Sequence, residues 1–190
     1  FTGAIVAAEN GDLNRLKVLL TRGLPISDEK AFKGWARFGN ALETWRRFLS
    51  SPSAPMAESI TSAVDDVLIS GKVVVPYFRS LEAKAYLALG QPEDALTILE
   101  TALDNARSRR EHWWLAELHR LRGECFFALD AQMEDAGQCF EEAASIAQSQ
   151  GALALELRAR WSAFRLPGST SNTRTRLEHC LESFRAGLDS

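Results

Sequence analysis

The chain is expected to be all-α, an α-α superhelix of about five helical hairpins. Three observations predict this. Apolar residues recur at spacings of three and four through most of the sequence, as one face of a helix requires. The periodic segments have helical length and are parted by short turn-forming stretches. One pair of such segments is also repeated about 40 residues later, the kind of period shown by stacked helical hairpins.

Each hairpin carries its own marks. "NGD" (10 to 12) parts a first hairpin, 1–22, whose second helix carries Leu13, Leu16 and Leu20. This stretch resembles an ankyrin repeat in spacing, but it occurs once and lacks the "TPLH" turn, so it reads as an ordinary hairpin. "RGLPISD" (22 to 28) is expected to turn, with Ser27 as the N-cap of the next helix. A second hairpin, 28–70, is interrupted by "SSPSAP" (50 to 55). "VVVPYF" (73 to 78) is the one strand-like piece, but Pro76 would break a ladder and can open a helix, so a loop leading into a helix is expected. In the third hairpin, 76–109, Pro92 suits a first helical position, with Glu93 and Asp94 at the positive end of the dipole and Ala95, Leu99, Ala102 and Leu103 on the apolar face. The fourth, 111–150, turns at "LDAQ" (129 to 132) and places Phe140, Ala143 and Ala147 on one face. The fifth, 152–187, turns at "LPGSTSNT" (166 to 173), with Asn172 as N-cap and Leu177, Leu181 and Phe184 behind it.

Composition bounds the function. With 190 residues, 46% hydrophobic and 25% charged, the chain can bury a core as one domain or one short repeat array. A net charge of -3 gives no overall attraction to nucleic acid or an anionic membrane. No apolar run reaches the roughly eighteen residues of a membrane helix. Cys125, Cys139 and Cys180 form no CxxC unit and fall in apolar segments, as small hydrophobes in a reducing, cytoplasmic setting do. Because the first residue is Phe1, the chain reads as part of something larger, and apolar surface at that end suggests a possible homo-dimer.

The repeat lies between "AKAYLALGQPEDALTILETAL" (83 to 103) and "GECFFALDAQMEDAGQCFEEAA" (123 to 144): Ala83 matches Gly123, Tyr86 matches Phe126, and Leu99 matches Phe140. A small residue where two helices cross lets them approach, and an aromatic one turn later fills the space beyond. These residues resemble the tetratricopeptide repeat. Trp35, Phe38, Gly39 and Leu42 fit its first-helix positions in one unit; Ala83, Tyr86, Ala95, Leu99 and Ala102 fit a second unit; Gly123, Phe126, Ala136, Phe140 and Ala143 fit a third. Connections longer than the standard pattern imply degenerate units flanked by capping pairs. Phrases such as "HWWLAELHRLRGECFFAL" and "CFEEAASIAQSQGALALELRA" further resemble the C-terminal region of large bacterial regulators. Those proteins join a DNA-binding or adenylate/guanylate-cyclase-like domain, through a signal-transduction ATPase, to a helical tail. The resemblance implies a non-catalytic regulatory module that binds a protein or peptide, or the parent's own ATPase domain; the alternative is a small-molecule sensor with a pocket inside the array.

"REHWWLAELHRLRGE" (110 to 124) concentrates histidine, tryptophan and arginine. His112 and His119 lie about 10 Å apart along a helix, too far to share an ion, so no metal or other cofactor is expected. Trp114, Leu118, Leu121 and Cys125 form a core stripe with Trp113 beside it, while Glu117, Arg120 and Glu124 have the spacing of helical ion pairs. Acids interleave the arginines, which argues against nucleic-acid contact. Catalytic patterns fail as well. "SGK" (70 to 72) has Asp66 where a P-loop needs glycine, Asp65 and Asp66 diverge on a helix, and so do His179 and Cys180. In arrays of this kind, binding falls to first-helix positions facing the groove. Here those are Lys33 and Asn40; Tyr77 and Lys84; and Glu117, Arg120, Glu124 and Phe127. Tyr77, Lys84, Arg120 and Phe127 are the expected main contacts, two aromatics for area and two cations for orientation.

Overall fold

A computed structural model describes residues 2–70, 74–129 and 133–188. Those residues are all-helical, with no strand among them. The chain divides into two compact units, residues 1–89 and 90–190.

The first unit holds α1 (Thr2–Glu9), α2 (Leu13–Glu29), α3 (Lys33–Ser50), α4 (Ala54–Ser70) and α5 (Val75–Ala88). Each packs on the next, and α1 and α5 also touch α3. "NGD" turns as expected: Gly11 takes a positive φ of 68°, and the Asp12 side chain accepts the Arg15 N–H at 2.9 Å, capping α2. The turn expected at "RGLPISD" does not form. Helix α2 runs through it with Pro25 inside, and Ser27 is a buried mid-helix residue whose hydroxyl donates to the Gly23 carbonyl at 3.1 Å, not an N-cap. The reason is the stripe Leu16, Leu20 and Ser27, buried on one continuous face of the helix. The chain leaves α2 through Ala31, at φ 55°. "SSPSAP" is a tight connection between α3 and α4, and α4 buries Ala57, Ile60, Val64 and Val67 against the core. Helix α5 opens at Val75 with Pro76 in its first turn, where the missing N–H costs nothing. Gly71, Lys72 and Val73, which belong to "SGK" and "VVVPYF", lie outside the described residues.

The second unit holds α6 (Pro92–Arg109), a 3-10 turn (His112–Trp114), α7 (Leu115–Ala128), α8 (Met133–Ser149), α9 (Leu153–Phe164) and α10 (Ser171–Leu188). Pro92, Glu93 and Asp94 open α6 as predicted, and Arg110, left-handed at φ 59°, closes it. Successive helices pack together, and α7 also meets α9. Helix α7 is the centre: Leu118, Leu121, Gly123 and Cys125 are all buried. Gly123 explains the small residue of the repeat, since a Cβ there would lie 2.5 Å from the Phe140 ring and 3.1 Å from the Ala136 carbonyl of α8. Ala143, Ala144 and Ala159 form a buried cluster between α8 and α9. Of the "LDAQ" turn, residues 130–132 lie outside the described residues. At α10 the Thr170 hydroxyl accepts the Thr173 N–H at 3.3 Å, so Asn172 is inside the helix and is not its cap.

Candidate functional site

Residues Glu117, Arg120 and Glu124 stand one turn apart on α7, and their spacing lets one guanidinium serve two carboxylates. Arg120 donates Nε to Glu117 Oε2 at 2.9 Å, Nη2 to Glu117 Oε1 at 3.0 Å, and Nη1 to Glu124 Oε1 at 2.9 Å. Glu117 is only 1% exposed. A carboxylate so buried is tolerated because the forked pairing satisfies both oxygens.

Helix α9 completes the site from the facing side, with Arg158 and Ser162 on the helix and Arg165 at its C-cap, spaced about one turn apart. Arg158 Nη1 lies 3.8 Å from Glu117 Oε1. The Ser162 hydroxyl donates to Glu124 Oε1 at 2.6 Å, and Arg165 Nη2 donates to both Glu124 oxygens at 2.8 and 2.6 Å. The Arg165 guanidinium also sits 5.8 Å from the centre of the Phe127 ring, within cation–π range. A row of alternating charge results: Arg158, Glu117, Arg120, Glu124, Arg165. Trp161, also on α9, stands 52% exposed.

Sequence reasoning thus named the α7 half of this row, Glu117, Arg120, Glu124 and Phe127, and missed the α9 half. The signal for the missing half was present in the same-face spacing of Arg158, Ser162 and Arg165. The remaining predicted residues lie in the first unit. Lys33 and Asn40 are exposed on α3. Lys84 of α5 is ion-paired with Glu9 of α1, at 3.1 Å. Tyr77 is fully buried, its ring edge-on to Phe78 with centroids 5.2 Å apart. It therefore belongs to the core and offers no contact area to a ligand, because neighbouring helices cover its register position. Apolar exposure in this unit instead gathers around Ile26, Phe32 and Trp35, which border a shallow depression of about 250 Å³. Phe1, where such surface was expected, lies outside the described residues.

Of the two histidines weighed as ligands, His119 is buried, with Nδ1 3.1 Å from Glu142 Oε2 of α8, an electrostatic contact rather than a well-formed hydrogen bond. Burial pushes its pKa below the ordinary value; Glu142 opposes this, and Arg107 and Arg122 add to it. Among the described residues no three His, Cys, Asp or Glu side chains converge as metal ligands do. The three thiols are buried and free. Burial raises the pKa of each, and Cys125, also near Glu124 and Cys139, is pushed up to about 12. They are held as neutral thiols, the unreactive form. No helix among the described residues is long and apolar enough to cross a membrane.

The chain matches no model of a known protein family, and no curated protein matches it.

Proposed function

We propose that this chain is a non-catalytic, tetratricopeptide-like regulatory module of a bacterial signalling or transcriptional regulator, and that it docks a protein segment on the α7–α9 face. The segment belongs to a partner or to the parent's own ATPase domain. One observation carries the reading: the ion row is closed toward the core and open toward solvent. Glu117 is buried and satisfied, whereas the Arg165 side chain is 41% exposed, beside exposed Trp161. Arginine and tryptophan are the residues that most often anchor interfaces. The glutamates already hold the guanidiniums in place, so less rotamer freedom is lost when a segment docks. The exposed Arg165 guanidinium favours a segment with an acidic side chain, and exposed Trp161 adds apolar area.

A photo-crosslinking residue at Trp161 in the intact parent protein tests this, with Gln138 on α8 as control. Crosslinks from position 161 to the ATPase domain or to one partner protein, lost with Arg158→Glu and Arg165→Glu together, are expected. Equal crosslinking from positions 161 and 138, or none from 161, would overturn the proposal.

A further inference from the structure

Helices α8, α9 and α10 enclose a cleft of about 580 Å³. The residues α9 lends to it, Leu153, Glu156 and Arg160, are not those it turns toward α7. Inside, Arg160 of α9 and Arg176 of α10 both donate Nη1 to a single oxygen, Oε2 of Glu141 on α8, at 2.8 and 2.9 Å. The three side chains are held unequally. Arg160 is 11% exposed and lies 3.7 Å from Glu156 one turn away, whereas Glu141 is 47% exposed. Arg176 is as open as Glu141, at 48%, so Arg160 is the fixed member and the other two both reach water. Two converging guanidiniums form a carboxylate site, and a half-exposed carboxylate of the chain itself occupies it.

We propose that this cleft binds a small zwitterion bearing one carboxylate and one ammonium, as a free amino acid does. The ligand carboxylate takes the place of Glu141 between Arg160 and Arg176, where a forked pairing is available. Glu141, displaced but still at the rim, then receives the ammonium together with Glu156. Charge balance selects this class. The cleft carries two carboxylates and two guanidiniums, so a simple anion would eject Glu141 without giving it a new partner. A simple cation would have to break the Arg–Glu pairs and leave the arginines uncompensated. A zwitterion replaces each broken pair with a new one. Ser145 and His179 also line the space and add hydrogen-bonding groups for the rest of the ligand. The volume lies within the roughly 300 to 1,000 Å³ of metabolite pockets. The inference does not depend on docking at the α7–α9 face, which uses other residues.

Calorimetric titration of the intact chain with each free L-amino acid, with succinate and with 1,4-diaminobutane is the test. At least one amino acid is expected to bind, with succinate and the diamine weaker by about tenfold or more, the worth of one lost charge-assisted pair. Arg176→Ala, at a half-exposed position on α10, should keep the helical circular dichroism and weaken the amino acid by a similar factor. Glu141→Gln removes the internal competitor, so succinate should then bind at least as well as the amino acid. No heat from any amino acid up to about 10 mM, binding untouched by Arg176→Ala, or succinate equal to the amino acid in the unaltered chain would each overturn the proposal.

Discussion

His119 is an ionisable side chain fixed in the interior of the second unit, and its surroundings determine which charge state the fold accepts. Glu142 approaches it from α8, Arg107 from α6, and Arg122 from its own helix. Burial is the largest influence and disfavours the imidazolium, so the native pKa lies below the ordinary value of about 6.5. Below pH 6.5, therefore, the unfolded chain takes up a proton that the folded chain refuses. Stability is complete above that pH, declines as pH falls through it, and levels off once the depressed native pKa is passed. The urea midpoint of the second unit is expected to drop between about pH 7.5 and 5.5, and His119→Gln should flatten that slope. An unchanged slope in the variant would count against a buried neutral histidine. Single residues differed in how far the sequence disclosed them. Gly123 was legible because a missing Cβ leaves a mark in the repeat, and Phe140 fills that space. Tyr77 was not, because its register marks a helix face without saying which other helices cover it.

At the scale of elements, legibility followed the strength of the apolar stripe. Helices α6 to α8 announced themselves by periodicity, and Pro92 with its two acids marked where α6 begins. Local punctuation misled where a stripe continued across it, as at "RGLPISD". There Pro25 cannot donate to the Thr21 carbonyl, and its ring crowds the preceding turn. Burial of Leu16, Leu20 and Ser27 on one face outweighs that cost, and Ser27 gives the Gly23 carbonyl a donor. The cost is nonetheless still present in the native helix. Pro25→Ala is expected to stabilise the first unit by about 1 to 3 kcal/mol, seen as a thermal midpoint several degrees higher. A lower midpoint would mean that the helix needs the proline, as a turn would. The α9 half of the ion row was missed for a related reason. Its hairpin matches the repeat only by helical spacing, so no register placed Arg158, Ser162 and Arg165 opposite α7.

Across the whole molecule, the ion pairs described for the row and the residues lining the polar cleft belong to the second unit. The second unit also has a core of its own elements. Leu99, Leu103 and Ala106 of α6 are buried, as are Trp114, Leu118, Leu121 and Cys125 over the next turn and α7. Phe126, Ala136, Cys139, Phe140 and Ala163 cluster among α7, α8 and α9. About a hundred residues can bury enough apolar surface to fold without help. Nothing within this core waits on a disulfide, since its cysteines are free thiols. Residues 90–190 produced alone are therefore expected to be helical by far-ultraviolet circular dichroism and to unfold in one cooperative transition, with the same pH slope that His119 imposes on the intact chain. A fragment without cooperative unfolding would mean that α6 to α10 lack a sufficient core of their own. A cooperative fragment that has lost the slope would mean that His119 is buried only when the first unit is present.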